Sequence, residues 1–501
     1  MVSLFRTFKR FDSPSLRLVI FGLVSLVIYL IAFIIPANLL KLYSEPHLDG
    51  ILLAHQGFRP YLQLILAFTC LGVLYWLSYH VAAVAEGKAA WIVVIGGTLI
   101  YAITFLFMAP FDAVDIYDNI LHGRILGIYS ANPFLQLIDN YPWDPFFHYV
   151  GSPQTPSAYG PLWELLAGWT ARLAGNDIIA NVMAFKALPG LFHLACLGMM
   201  VLILKRQFPK QALGGALLLG WNPIILYETW GNGHNDMAMV VWLLVAAWFL
   251  SFRHYSLSVY SLIIGALFKF IPILVLPIVV MTGWRELNKL GKRLGFIFTA
   301  FAGSFLMIIA AYHPFWYGWR TLDVSGRMAM FTTSIPSVMN RALSMILGRQ
   351  EAGQWVSLSA LGLLLVFIVV QALRGGNDPF KEYVQSTFNV LACYLLVACL
   401  WFHQWYGVWL ITLAPLLPKE SRRLALLFGF WVLGQQLFFG PQLVPKILTS
   451  PPARAVWLEA LLACGVLGVP WAYALWNLWI QRRSPNEEKH EIQNGRFDLS
   501  C

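Results

Sequence analysis

The sequence predicts an all-α fold, a polytopic transmembrane bundle of about 12–14 spans with loops and interfacial helices on its outer face, resembling no soluble architecture. Three observations carry this. Hydrophobic residues make up 59% of the 501 and charged residues 12%, about half of the roughly 25% charged share of soluble domains. Apolar runs recur from one end of the chain to the other, many close to the about 20 residues that a bilayer crossing needs. Trp, Tyr and Phe number 21, 20 and 35, as suits aromatic belts at the two membrane surfaces.

The apolar segments fall in order at 18–38, 61–85, 90–109, 178–204, 212–230, 236–252, 256–268, 270–284, 294–314, 353–373, 387–402, 404–418, 424–440 and 457–480. The pairs 256–268/270–284 and 387–402/404–418 are short, and each reads as a re-entrant hairpin or one broken helix. The first segment follows Arg6, Lys9, Arg10 and Arg17 without a small-residue cleavage site, so it reads as a retained span. Residues 1–480 are expected to form a single transmembrane domain, and 481–501 a disordered cytoplasmic tail.

The net charge is +10. The basic residues sit between apolar runs, which points to topology and away from a nucleic-acid partner. Clusters such as Lys205, Arg206 and Lys210, or Arg285, Lys289, Lys292 and Arg293, occupy alternate short loops. The positive-inside rule then places both termini in the cytoplasm of a multi-pass plasma-membrane protein. Two long loops, about 110–177 and 315–352, face outward. Six cysteines show no CxxC or His/Cys spacing, so neither a disulfide framework nor a zinc site is expected. No cofactor is expected, and the residues do not decide metal dependence.

The first outer loop opens on PFDAVDIYDNILHGRILGIYSANPF, Pro110–Phe134. Asp115, Asp118 and His122 fall on one helical face, with Asp112 near its start. A solvated loop with an Asp N-cap is the plain alternative. Farther on, Leu162, Leu165, Leu166, Trp169 and Leu173 recur at helical spacing and predict an amphipathic helix in the interface. Three more polar stretches interrupt apolar sequence, where ionisable groups are expensive and functional by default. WNPIILYETWGNGHND (Trp221–Asp236) brings Glu228, His234 and Asp236 to the outer boundary. LFKFIP (Leu267–Pro272) carries Lys269 ahead of a helix-breaking proline. CLWFHQWYGVW (Cys399–Trp409) sets His403 among aromatic residues. Lys186, His193, Arg320, Asp323 and Arg327 are less specific signals.

Asp115-Ile116-Tyr117, then Gly123-Arg124, then Asn132-Pro133-Phe134 resemble the DVY…GR…NPY pattern of the GT-C glycosyltransferases, and in particular the bacterial polyprenyl-phosphate-mannose-dependent mannosyltransferases. Asn222-Pro223 with Gly233–Asp236, Lys269 with Pro272, and His403 in its aromatic run are similar to further features of that group. Val114 stands where many relatives have a second acid, and His122 where an acid is common. The resemblance implies an inverting enzyme on the non-cytoplasmic face, with a polyprenyl-phosphate-sugar donor and a glycolipid or glycan acceptor. It implies Asp115, with Asp112 as a possible partner acid, in catalysis. Arg124, His234, Asp236, Lys269, His403, Tyr117 and Asn132 are the expected substrate contacts.

The residues agree with this chemistry. A lipid-linked donor keeps its phosphate at the interface, where cations and donors must meet it. No glycine-rich phosphate loop suggests a nucleotide donor. A secondary transporter is the alternative from another class, since intramembrane Lys, Glu and His suit ion coupling. A lipid-linked-glycan ligase or polymerase would share the chemistry and differ in its donor.

Overall fold

The computed structural model describes residues 13–42, 58–111, 113–322 and 330–483. Asp112, Asp323, Arg327, the N-terminal Arg6, Lys9 and Arg10, and most of the expected tail (484–501) lie outside the described residues. The described residues are mostly helical, apart from isolated bridges, connections and the long outer loop 128–160, which holds only two short 3-10 turns. Residue contacts divide the chain into two compact units, Met1–Arg327 and Met328–Cys501.

The first unit begins with α1 (Pro14–Tyr29), α2 (Phe58–Val84) and α3 (Lys88–Leu106). Ser13 caps α1 by accepting from the Leu16 amide, and Pro14 is preset for the first turn. Two outer helices follow, α4 (Asp115–Gly127) and α5 (Pro161–Ala174). Next comes α6 (Ile178–Gln207), 30 residues long and started by the Asp177 side chain on the Ala180 amide. Then come α7 (Ala212–Gly220), α8 (Met237–Leu250), α9 (Tyr255–Phe268), α10 (Leu276–Glu286) and α11 (Leu290–Tyr312). The core lies around α6 and α8: α6 packs on α7 and α8, and α8 packs on α9. Met237, Ala238, Met239, Val240, Leu243 and Leu244 of α8 are all buried.

The second unit holds α12 (Ile335–Leu347), α13 (Arg349–Leu373), α14 (Pro379–Cys393), α15 (Gly407–Leu413), α16 (Lys419–Thr449) and α17 (Pro452–Arg483). Here α16 packs along α17, and α12 packs on α13 and α17. Glu459 of α17 is buried and accepts from the Thr333 amide (2.8 Å), Ser337 Oγ (2.7 Å) and Arg341 Nε (3.1 Å). It thereby ties down the start of α12.

Among the described residues, eight helices are long and apolar enough to cross a membrane: α1, α2, α3, α6, α11, α13, α16 and α17, some extended by an adjoining turn. The multi-pass all-α bundle is as expected. Several expected segments are discontinuous. Segment 212–230 ends as a helix at Gly220, because Pro223 cannot continue the ladder and Asn222 starts a new turn by accepting from the Ile224 and Ile225 amides. A wide π-type turn, Leu226–Gly231, completes it. Segment 256–284 breaks at Lys269, whose backbone is extended (φ −154°, ψ 130°) between α9 and a 3-10 turn at Ile271–Val275. Segment 387–418 breaks between a π turn at Tyr394–Ala398 and a 3-10 turn at Gln404–Tyr406. Conversely, Pro441 and Pro445 lie inside α16 without ending it. Each break falls at one of the polar stretches that the sequence singled out.

Candidate active site

The position of α4 is set by glycines. A Cβ on Gly123 would lie 2.6 Å from the Ala167 carbonyl oxygen, and one on Gly127 only 2.1 Å from that of Gly168. Only glycine permits this contact of α4 and α5. Asn119 adds a polar clasp: its Oδ1 accepts from Trp163 Nε1 (3.0 Å), and its Nδ2 donates to the Asp115 carbonyl (2.9 Å). With Ala167, Gly168 and Ala171 buried against α4, the apolar side of α5 points out, leaving Trp169 and Leu173 exposed. This is the arrangement of a helix lying in the lipid interface. Glu164 is buried and accepts from Ser157 Oγ.

Asp115 is the first residue of α4 and is half-buried. The loop after the π turn lies against it. Gly233 takes a left-handed φ of +79°, and a Cβ there would meet Ile116 Cδ1 at 2.6 Å. Asn232 Oδ1 accepts from the Phe111 amide at 3.1 Å, joining this loop to the segment entering α4. Within the loop, the buried Glu228 Oε2 accepts from Asn232 Nδ2 (3.1 Å) and makes an ion-pair contact with His234 Nδ1 at 3.0 Å. Lys269 closes the other side: its Nζ donates to Asp236 Oδ1 at 2.6 Å and lies 5.9 Å from the centre of the Tyr159 ring. Gly160 fixes that approach, since its amide donates to the Phe268 carbonyl (2.9 Å) and a Cβ would fall 2.0 Å from the Leu267 oxygen. Beneath the loop, Lys186 Nζ donates to the carbonyls of Phe105, Leu106 and Met108, the otherwise open end of α3.

Asp115, His234, Asp236, Lys269 and Glu228 therefore form one electrostatic cluster. Burial raises the Asp115 pKa above the usual carboxylate range; His234 and Lys269 oppose that rise, and Asp236 and Glu228 add to it. Burial and then the charge of Asp115 push Asp118 up to about 7, against the pull of the Gly151 amide that it accepts at 2.8 Å. Burial draws His234 down, but its hydrogen bond and charge contact with Glu228, helped by Asp115 and Asp236, leave it above its ordinary value. The arrangement offers a raised-pKa base beside an imidazole and an ammonium, at the mouth of a helix N-terminus that favours negative charge.

The other expected contacts lie elsewhere in the scaffold. Arg124 is buried and committed to protein: Nε to Asp144 (2.7 Å), one Nη to the Gly175 carbonyl, the other to Asn176 Oδ1 (2.9 Å), with Phe146 under its face. These contacts brace the outer loop. Tyr117 is buried and stacked on Tyr149, centroids 5.1 Å apart. Asn132 donates to the Phe315 carbonyl (2.8 Å) and accepts from the Phe134 amide, so it shapes a turn. His122 ring nitrogen Nε2 sits 3.3 Å from the Thr155 carbonyl. In the second unit, His403 stacks on Trp405 (4.1 Å, 7° between planes) with Trp401 and Tyr406 at its edges. Segment 400–402 ahead of it is bridged to Thr332 by two backbone hydrogen bonds of 3.1 Å.

Asp118, Glu228 and Tyr159 join the cluster although the sequence reading did not name them as site residues. Glu228 carried a readable signal, an acid inside an apolar segment. Asp118 shares the helical face of Asp115. Nothing in the local sequence marks Tyr159.

Comparison with known proteins gives the family of the chain. The family described as alpha-(1->6)-mannopyranosyltransferase, N-terminal domain, matches residues 19–285, just over half of the chain, and takes in Asp115, His234, Asp236 and Lys269. Alpha-(1->6)-mannopyranosyltransferase A of Mycobacterium tuberculosis is 24% identical over 429 residues, 78% of each chain. Alpha-(1->6)-mannopyranosyltransferase B of Corynebacterium glutamicum is 22% identical over 428 residues, 77% of this chain and 67% of the other. The chain belongs to the alpha-(1->6)-mannopyranosyltransferase family of membrane glycosyltransferases.

Proposed function

We propose that this enzyme transfers mannose from a polyprenyl-phosphate-linked donor to a hydroxyl of a glycan or glycolipid acceptor, at the non-cytoplasmic face of the plasma membrane. The observation that carries the reading is a half-buried carboxylate, Asp115, sharing one cluster with Lys269 and His234 at the start of an outer helix. In this scheme Asp115 takes the proton from the acceptor hydroxyl. The hydroxyl oxygen bonds to the anomeric carbon as the bond from that carbon to the phosphate oxygen breaks. The electron pair leaves on polyprenyl phosphate, whose charge Lys269 and His234 meet. Displacement inverts the anomeric centre, so an α product of the kind named for the two relatives requires a β-linked donor. Lys269 is held by Asp236 at 2.6 Å, so donor phosphate would share or replace that partner.

The name of the relatives supports the primary 6-hydroxyl of a mannose residue as nucleophile. An alkoxide formed there would be a poor fit to a carboxylate of ordinary pKa, and burial raises that of Asp115. Transport is less well supported, because the ionisable cluster lies at the start of an outer helix and next to helix breaks, where a substrate can enter from the interface.

The test is transfer of labelled mannose from a β-linked polyprenyl phosphate to membrane acceptors in vesicles. Asp115→Asn is expected to lower turnover by at least about 100-fold, within the range for general-base loss, while insertion and thermal unfolding stay close to those of the parent. Parental turnover in that variant would refute the base assignment. Transfer from a nucleotide sugar alone, with no lipid donor, would refute the donor class.

A further inference from the structure

We propose that Glu228 is a positioning residue for transfer: its carboxylate fixes the ring and the charge of His234, and through His234 holds Asp115 in the proton-accepting form. This rests on the reading of Asp115 as the base and extends it to a residue that acts at one remove.

The geometry has three independent parts. Glu228 is fully buried, yet it sits on a π-type turn, a distortion that rotates its side chain relative to an α-helical course. Its Oε2 lies 3.0 Å from His234 Nδ1 as an ion-pair contact and accepts from Asn232 Nδ2 (3.1 Å), and its backbone carbonyl accepts the His234 amide (2.9 Å). The residue therefore holds His234 by ring and by backbone. Asn232 in turn accepts the Phe111 amide, and Gly233 lies on Ile116. The same hydrogen-bonded unit thus sets the distance between the imidazole and the first turn of α4.

A carboxylate on Nδ1 fixes the tautomer of a histidine and favours its protonated form. A cationic ring beside Asp115 favours the ionised carboxylate, against a burial that disfavours it. Among the described residues, several charged groups face this pair. Asp115, Asp236 and Glu228 face His234; His234, Lys269, Asp236 and Glu228 face Asp115. Asp118 lies one turn along α4 and carries the Asp115 charge in its own shift. Lys186 lies under Gly233, but its ammonium is engaged by three carbonyls of the α3 end. Three acids thus act on the imidazole. Glu228 lies against its ring, with Oε2 3.0 Å from Nδ1.

The experiment is the pH profile of kcat/KM for mannosyl transfer by Glu228→Gln, with His234→Gln and the double variant alongside. Glutamine keeps the size and an acceptor oxygen but removes the charge. Expected is an acid limb shifted upward by about one pH unit. That appears as a loss of up to roughly tenfold on the acid side of the profile that shrinks as pH rises. His234→Gln should shift the limb in the same direction, and the double variant should be no worse than the poorer single one. A uniform loss at every pH, or additive losses in the double variant, overturns the proposal and reduces Glu228 to a structural role. So does an unchanged profile. If Glu228→Gln fails to fold, the limb of His234→Gln still decides, since an unshifted limb there breaks the link to Asp115. Because Asp115→Asn is tested separately, loss of activity there with an unshifted Glu228→Gln limb would leave the base assignment standing.

Discussion

Asp118 shows how a side chain one turn from the proposed base, Asp115, can report on it. Its pKa stands near 7 in the folded enzyme, raised by burial and by Asp115. A raised carboxylate pKa means that the folded state binds the proton more tightly than the unfolded state does. Folding is therefore favoured at low pH, and that advantage is lost as pH climbs from about 4, the unfolded value, to about 7. Asp118→Asn removes the titration, while its amide oxygen can still accept from Gly151. The difference in Tm, variant minus parent, should grow between pH 4 and pH 7 and level off above it, measured by thermal unfolding in detergent. A constant difference would show that Asp118 does not titrate in that window. At this scale much of the site was legible. Asp115, His234, Asp236 and Lys269 stand out because charge is costly in so apolar a chain. Arg124, Tyr117 and Asn132 pack within the protein for a reason the motif does not carry. A motif records which residue stands where, but not that Asp144, Gly175 and Asn176 each accept from the Arg124 guanidinium. Those partners lie 20 to 52 residues away along the chain.

Helices deliver these side chains, and their close approaches are the sensitive points. Gly127 meets the Gly168 carbonyl, so Gly127→Ala must push α5 away from α4. It should cost about 1–3 kcal/mol, the range for overpacking. Gly198→Ala, inside α6 with nothing within 4 Å of the added carbon, should be neutral or slightly stabilising, because alanine is the better helix former. Unfolding of both variants side by side checks the pair, and equal effects would contradict the packing described for α4 and α5. The sequence showed the amphipathic side of α5 through its spacing. It did not show the opposite, small-residue side, because Gly123, Gly127, Ala167 and Gly168 acquire meaning only once the two helices are paired. The helix breaks were half-legible. Pro272 announced the one at Lys269, while the π turn at Leu226–Gly231 has no simple local signature.

At the scale of the molecule, alternation of apolar runs and basic loops made the membrane class readable before any coordinate. Eight full-length helices against fourteen expected segments show the limit of hydropathy alone. Buried internal helices such as α8 are as apolar as spans but only 14 residues long. The orientation proposed from the basic loops has a direct check. In a cysteine-free background, Gln154→Cys should react with a membrane-impermeant maleimide on intact cells, and Lys289→Cys only after permeabilisation. Both positions are exposed. The reverse pattern would put the cluster on the wrong side for an extracytoplasmic enzyme.

The pairing of α4 with α5 has a mechanical corollary. Because glycine contacts hold the two as one body, any surface that the exposed Trp169 and Leu173 rest on fixes the height of Asp115. Under the proposed reaction, a prenyl chain would suspend its phosphate at a set depth. The proposed base and donor would then be levelled by the same liquid surface, and their search for each other confined to two dimensions.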